Sequence, residues 1–226
     1  MNAAKDCTLQ EKLLRCAMAL ILAAGALLAS VAASPAYAAP STVDVSIGGK
    51  IPYGGFATTW MSADGNIAYC AEPSSPTPAP GSYSTSPVPS GDVTAAIWYS
   101  FGSPGFDASM FPGSWYDGGG WDDAKYAAAS HVLIAYAYSG SESAATHGTS
   151  AEFASWAKSE LIGGTFAKMK AGAGKVSAGF EAFCVRTGGG SQTLVSFSWS
   201  TGGVKVAKTD SEAGAEPQGD ASLDGA

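Results

Sequence analysis

Glycine and proline punctuate this chain so densely that only a few stretches can form long regular elements. The 226 residues hold 29 Gly and 12 Pro. Glycine loses the most backbone freedom on folding, and proline removes an amide donor, so both break element interiors. The uninterrupted stretch from 122 to 138 is the clearest helix. Asp122 and Asp123 suit its positive N-terminus. Ala127, His131, Ile134 and Tyr138 share one face, and Gly140 can end it. A second helix is expected over 149–162. There Thr149-x-x-Glu152 reads as a capping box, Phe153, Trp156 and Leu161 form a stripe, and Gly163 follows the end.

Strand patterns flank these helices. Val43, Val45 and Ile47 alternate in a strand over 42–50 that should end at Gly48-Gly49. The turn Asp64-Gly65 leads into a short strand over 65–71 that carries Cys70. Prolines 73, 76, 78, 80, 87 and 89 then predict an extended surface loop rather than a ladder strand. An apolar run, 93–101, precedes a segment rich in glycine and aromatics. Strands around 179–187 and 191–199 are joined by Gly188-Gly189-Gly190. The expected fold is therefore α+β, a mainly antiparallel β head with two helices inserted.

The ends of the chain differ from this head. Lys5, Lys12 and Arg15, an Ala/Leu run from Cys16 to Ala33, and Ala36-Tyr37-Ala38 read as a signal peptide over 1–38. An export leader places the rest, extracellular, outside the reducing cytosol. It also leaves Cys70 and Cys184 as the two cysteines of the mature chain. Residues 203–226 are acidic, turn-rich and free of aromatics after Val206.

Composition excludes several functions. Charged residues make up 14% of the chain against about 25% in ordinary domains. A net charge of -7 with 12 Lys+Arg gives no electrostatic footprint for nucleic acid. The sequence has no phosphate-binding loop, nucleophile elbow, zinc-binding helix motif or calcium loop. No metal or cofactor is expected, and Asp122-Asp123 suits a helix start better than a metal.

The two cysteines leave three readings open. Exposed aromatics (Phe106, Phe111, Trp115, Trp121) and the Pro/Ser loop would contact a ligand if the head is a binding module. Cys70 and His131 would form a thiolate–imidazolium pair, with Asp92 or Asp107 as orienting group, if the head is reactive. A Cys70–Cys184 disulfide would close a long loop and contribute roughly 4–5 kcal/mol if the pair is structural.

Particular motifs resemble known surface-protein families. Tyr69-Cys70-Ala71-Glu72-Pro73 is similar to the cysteine segment of thioester domains, heads of Gram-positive adhesins. Trp98-Tyr99-Ser100-Phe101-Gly102-Ser103-Pro104-Gly105 is similar to a Y-Y-G-x-G-G-P-G stretch of related heads. In that family a Cys and a Gln side chain form an internal thioester that captures host amines. Ser130-His131-Val132-Leu133-Ile134-Ala135 falls where the Gln segment belongs, with His131 in place of Gln. An imidazole has no acyl carbon for sulfur to attack, so His131 cannot complete that crosslink. Gln192 is the fallback partner, disfavoured because it lies on an expected strand and not in the helical segment.

The tail, Val204-Lys205-Val206-Ala207-Lys208-Thr209-Asp210, resembles the opening of a Cna-B or SpaA-type pilin domain, a likeness that puts Lys208 at that family's isopeptide-type lysine position without a partner residue to claim the bond. That likeness divides the chain into a leader (1–38), a head (39–202) and the start of a stalk domain (203–226), with the domain and any cell-wall attachment continuing past Ala226. It implies a monomeric, non-enzymatic head of a cell-surface adhesin whose partner is a host or matrix protein or glycan.

Overall fold

The computed structural model describes residues 39–200. The expected leader and the pilin-like tail with Lys208 lie outside the described residues.

Six antiparallel strands close into a barrel: β1 (Thr42–Tyr53), β2 (Phe56–Ala63), β3 (Asn66–Cys70), β4 (Gly81–Pro87), β5 (Phe180–Arg186) and β6 (Leu194–Trp199). Their order around the barrel is β1-β2-β3-β6-β5-β4. The helices are inserted between β4 and β5, which fits the α+β expectation. Asp64 and Gly65 both take positive φ, 49° and 77°, in the tight turn between β2 and β3. β1 does not stop at Gly48-Gly49. Its register against β2 shifts between Ile47 and Lys50 and the strand runs on to Tyr53, so the glycines serve as a bulge.

The proline loop also departs from expectation. Its last part, β4, pairs with both β1 and β5 and closes the barrel. The prolines at 76, 78 and 80 precede this strand and Pro87 ends it, leaving Ser, Tyr and Thr amides free for the ladders.

The helical layer is larger than two helices. The apolar run after Ser90 is α1 (Gly91–Tyr99), and the Ser90 side chain accepts from the Val93 amide. The expected central helix is α2 (Asp123–Ser139). Asp122 caps it by accepting from the Lys125 amide, and Gly140 ends it at φ 69°. Its residues Ala127 to Ala135 are all buried, so it is enclosed on every side rather than amphipathic. Alanines at 127–129 and 135 let neighbouring elements come close. A single turn, α3 (Glu142–Ala145), follows.

The next helix, α4 (Ala151–Trp156), is capped by Ser150 rather than Thr149. It does not end at Gly163. The chain widens into a π-helical stretch over Ala157–Phe166, then narrows again into α5 (Ala167–Ala171). The Gly163-Gly164 pair is absorbed within the π turns.

Two hydrophobic clusters lie on opposite faces of the strands. One holds Val43, Met61, Ala68, Cys70, Phe183, Val185 and Leu194. The other joins Tyr69, Cys184, Val195 and Phe197 to α1 and α2. The glycine-rich segment belongs to the second. Phe111 and Trp115 are buried, and Phe106 and Trp121 are only half-exposed. Trp121 stacks on Tyr126 at 4.7 Å, Phe106 meets Phe111 at 5.9 Å, and Trp115 meets Phe153 at 5.6 Å. These rings fill the interior of an ordered loop that covers the core, and so do not form the exposed contact surface that the binding-module reading needs.

Candidate functional site

Cys70 is the last residue of β3, where that strand leaves its pairing with β2 and holds only to β6. Cys70 stands opposite Leu194, and the Ala71 amide donates to the Thr193 carbonyl at 3.0 Å. Two further bonds tie the strand ends together. The Thr193 amide donates to the Glu72 carboxylate at 2.8 Å, and the Gln192 amide donates to the Pro76 carbonyl at 2.9 Å. Gln192, which precedes β6, is thereby held against the end of β3.

The side chains then converge. Thr58 Oγ1 lies 3.4 Å from Cys70 Sγ and 3.5 Å from His131 Nδ1. The Gln192 carboxamide lies close enough to the thiol to favour its thiolate. Its Nε2 donates to Thr77 Oγ1 at 3.4 Å, while its Oε1 is buried without a partner. Cys70 is 5% exposed, His131 2% and Gln192 2%, so water has little access. Burial pushes the Cys70 thiol up to about 11 despite Thr58 and Gln192, which both favour its thiolate.

His131 comes from the middle of α2 and touches Cys70, though not through the thiol. Its Nδ1 accepts the Cys70 backbone N–H at 3.0 Å. The Tyr69 ring packs edge-on against the imidazole at 5.1 Å. Burial drives the imidazole down to about 3, so it is neutral, and with Nδ1 accepting, its proton sits on Nε2. A thiolate–imidazolium pair needs the opposite shifts: the thiol lowered and the imidazole raised. The neutral pair arises because no nearby charge repays desolvation. Asp92 is ion-paired with Lys170 at 2.8 Å, and Asp107 accepts from the Ser109 amide at 2.9 Å, so both proposed orienting groups are engaged elsewhere. His131 is a positioning residue for the Cys70 backbone.

The disulfide reading fails on geometry. Both cysteines are free thiols. β3 and β5 flank β6 on either side, with Cys70 opposite Leu194 and Cys184 opposite Val195. Two strand spacings amount to roughly 9–10 Å, beyond the reach of about 7 Å between Cα atoms. Consecutive β6 residues also face opposite ways, and the two cysteines pack in different clusters. Burial raises the Cys184 thiol to about 11 as well, and it behaves as a small apolar side chain.

The site therefore joins a buried thiol to a carboxamide, with a hydroxyl on the sulfur and a neutral imidazole behind the backbone. Among the described residues, no group of three or more His, Cys, Asp or Glu side chains is placed to hold a metal ion. This constellation suits acyl transfer to sulfur. Gln192 reaches Cys70 through a strand pairing that spans the helical layer, and local sequence around 192 carries no sign of it.

The chain matches the thioester domain family over residues 42–164, more than half its length, and so belongs to that family. The matched region includes Cys70 and His131 and stops short of Gln192. No curated protein and no solved structure matches the chain.

Proposed function

We propose that this head forms an internal thioester between Cys70 and Gln192 and uses it to capture primary amines covalently on a partner molecule. The observation that carries the reading is the Gln192 carboxamide held against the buried Cys70 thiol. In the first step the sulfur attacks Cδ of Gln192, an S–C bond forms, the C–N bond breaks, and the thiol proton leaves with the nitrogen as ammonia. The departing nitrogen is the one that Thr77 holds, so it leaves towards the 76–80 loop. Thr58 orients the sulfur, and the His131 bond fixes the backbone behind it.

In the second step a partner's primary amine attacks the thioester carbonyl. A new C–N bond forms, the C–S bond breaks, and the Cys70 thiol is regenerated. The partner is left joined by an amide to the former Gln192 side chain. Burial keeps water from hydrolysing the thioester meanwhile. Family membership supports a role as an adhesin-like surface head. We place it on a Gram-positive cell wall, exported by the 1–38 leader and carried on a stalk that begins at 203, in which Lys208 stands at the position of that family's isopeptide-type lysine. Its partner is a host or matrix molecule.

Incubation of the purified protein with a fluorescent primary amine tests this. The label should appear on the peptide containing residue 192, and Cys70→Ala and Gln192→Ala should abolish it. Labelling that persists in Gln192→Ala would overturn the assignment.

A further inference from the structure

The loop between β3 and β4 reaches the carboxamide of Gln192, and one of its residues holds the nitrogen that thioester formation removes. Thr77 Oγ1 accepts from Gln192 Nε2 at 3.4 Å, and the neighbouring Pro76 carbonyl accepts the Gln192 backbone N–H at 2.9 Å. Two successive loop residues thus grip the same glutamine, by its side chain and by its backbone.

Local sequence makes this grip rigid. Thr77 stands between Pro76 and Pro78. A proline fixes its own φ and confines the residue before it to extended backbone, so the chain is restricted on both sides of Thr77. Threonine is itself stiff at χ1. Pro78 is buried, and the Tyr83 hydroxyl anchors the far end of the loop by donating to the Ala79 carbonyl at 2.8 Å. Thr77 is nevertheless exposed, whereas Gln192 is only 2% exposed. Thr77 therefore stands at the boundary between solvent and the buried carboxamide.

Ammonia leaving Cδ of Gln192 and an amine attacking the thioester are one reaction run in opposite directions. Both pass through a tetrahedral carbon that carries sulfur, oxygen and nitrogen. The nitrogen therefore arrives and departs by the same place, beside Thr77 Oγ1. We propose that Thr77 receives the partner's amine and restricts capture to primary amines. This role rests on the thioester reading and supplies the origin of its selectivity. A primary amine brings two protons. As the new C–N bond forms and the C–S bond breaks, one proton passes to the Cys70 sulfur. The other stays on the amide nitrogen and donates to Thr77, as the Gln192 N–H does. A secondary amine brings one proton, which leaves with the sulfur. Its second alkyl group then meets the hydroxyl, no N–H remains to donate, and the proline-fixed loop resists drawing back.

The test follows capture of methylamine and dimethylamine, at equal free-base concentration, by intact mass of molecules that already hold the thioester. Wild type should prefer methylamine by more than a small alkyl thioester does in the same buffer. Thr77→Val deletes the hydroxyl and should slow methylamine capture about tenfold with unchanged circular dichroism, narrowing the preference by a like factor. Thr77→Ser keeps the hydroxyl and should restore both rate and preference. A wild type with no such preference overturns the proposal, whatever the variants do. So does a Thr77→Val protein that keeps the wild-type preference, or a Thr77→Ser protein that fails to restore it. Equal slowing of both amines in Thr77→Val overturns it as well, by assigning the hydroxyl to the carbonyl oxygen. A folded Thr77→Val that never forms the thioester does the same, by confining Thr77 to the first step. A wild type that forms no thioester is a separate result: it refutes the thioester itself, and the role of Thr77 falls with it.

Discussion

Replacing His131 by glutamine should remove most of the acid sensitivity of this fold between pH 7 and 5. The folded imidazole is driven down to about 3 by burial, while an unfolded histidine titrates near 6.5. The unfolded chain therefore binds a proton that the folded chain refuses. Stability from this group is fully present above about pH 6.5 and is lost progressively as pH falls towards 3. At pH 5 the difference is about 1.5 pH units, or roughly 2 kcal/mol. For a domain of this size that corresponds to a drop of about 4–8 °C in Tm. Glutamine cannot titrate, yet its Oε1 can still accept the Cys70 N–H, so His131→Gln should unfold at nearly the same temperature at pH 7. The assay is urea and thermal unfolding of both proteins at several pH values from 7 to 5. Carboxylates contribute equally to both and cancel in the difference. Parallel stability curves would refute the neutral, buried imidazole. So would a wild type that grows more stable as pH falls, as an imidazolium paired with a thiolate requires.

His131→Leu removes the acceptor, leaves the Cys70 amide buried and unpaired, and should cost about 1–3 kcal/mol more than His131→Gln in equilibrium unfolding. Dithiothreitol should leave Tm unchanged, because the two cysteines sit on different strands and faces; a reducible increment in Tm would contradict this. Thr58→Val deletes the hydroxyl on the sulfur and should slow thioester formation, read as a mixture of masses soon after synthesis, while the fold stays intact by circular dichroism. Gly54→Ala should destabilise by more than about 1 kcal/mol, since its Cβ would collide with the Phe153 ring at a φ of +53°.

Much of this architecture is written in local sequence. The Asp122 cap, the run to Ser139 and Gly140 specify α2 without outside help, and Asp64-Gly65 specifies its hairpin. What escapes local reading depends on partners. β4 looks like loop because serine and proline dominate it, but the open edges of β1 and β5 supply its hydrogen bonds. The π-helical widening at 157–166 lets a helix continue through two glycines that local rules treat as a stop. In the candidate site, Cys70 and His131 stand out by residue type. Their relation, through a backbone amide rather than the thiol, emerges only when α2 is laid against β3. Gln192 is harder still to find, because nothing near it in sequence signals a thiol. The β3–β6 pairing delivers it.

Intact mass of the purified protein tests the central claim most directly. For the mature chain, freed of the 1–38 leader and with it of Cys7 and Cys16, a Cys70–Gln192 thioester predicts a mass about 17 Da below that calculated from the mature sequence, for the ammonia lost. It also predicts one alkylatable thiol after denaturation, Cys184, and recovery of the full calculated mass in Cys70→Ala and Gln192→Ala. A wild-type protein at full mass with both Cys70 and Cys184 alkylatable would contradict the account, as would a 17 Da deficit, again about one ammonia, that survives in Gln192→Ala.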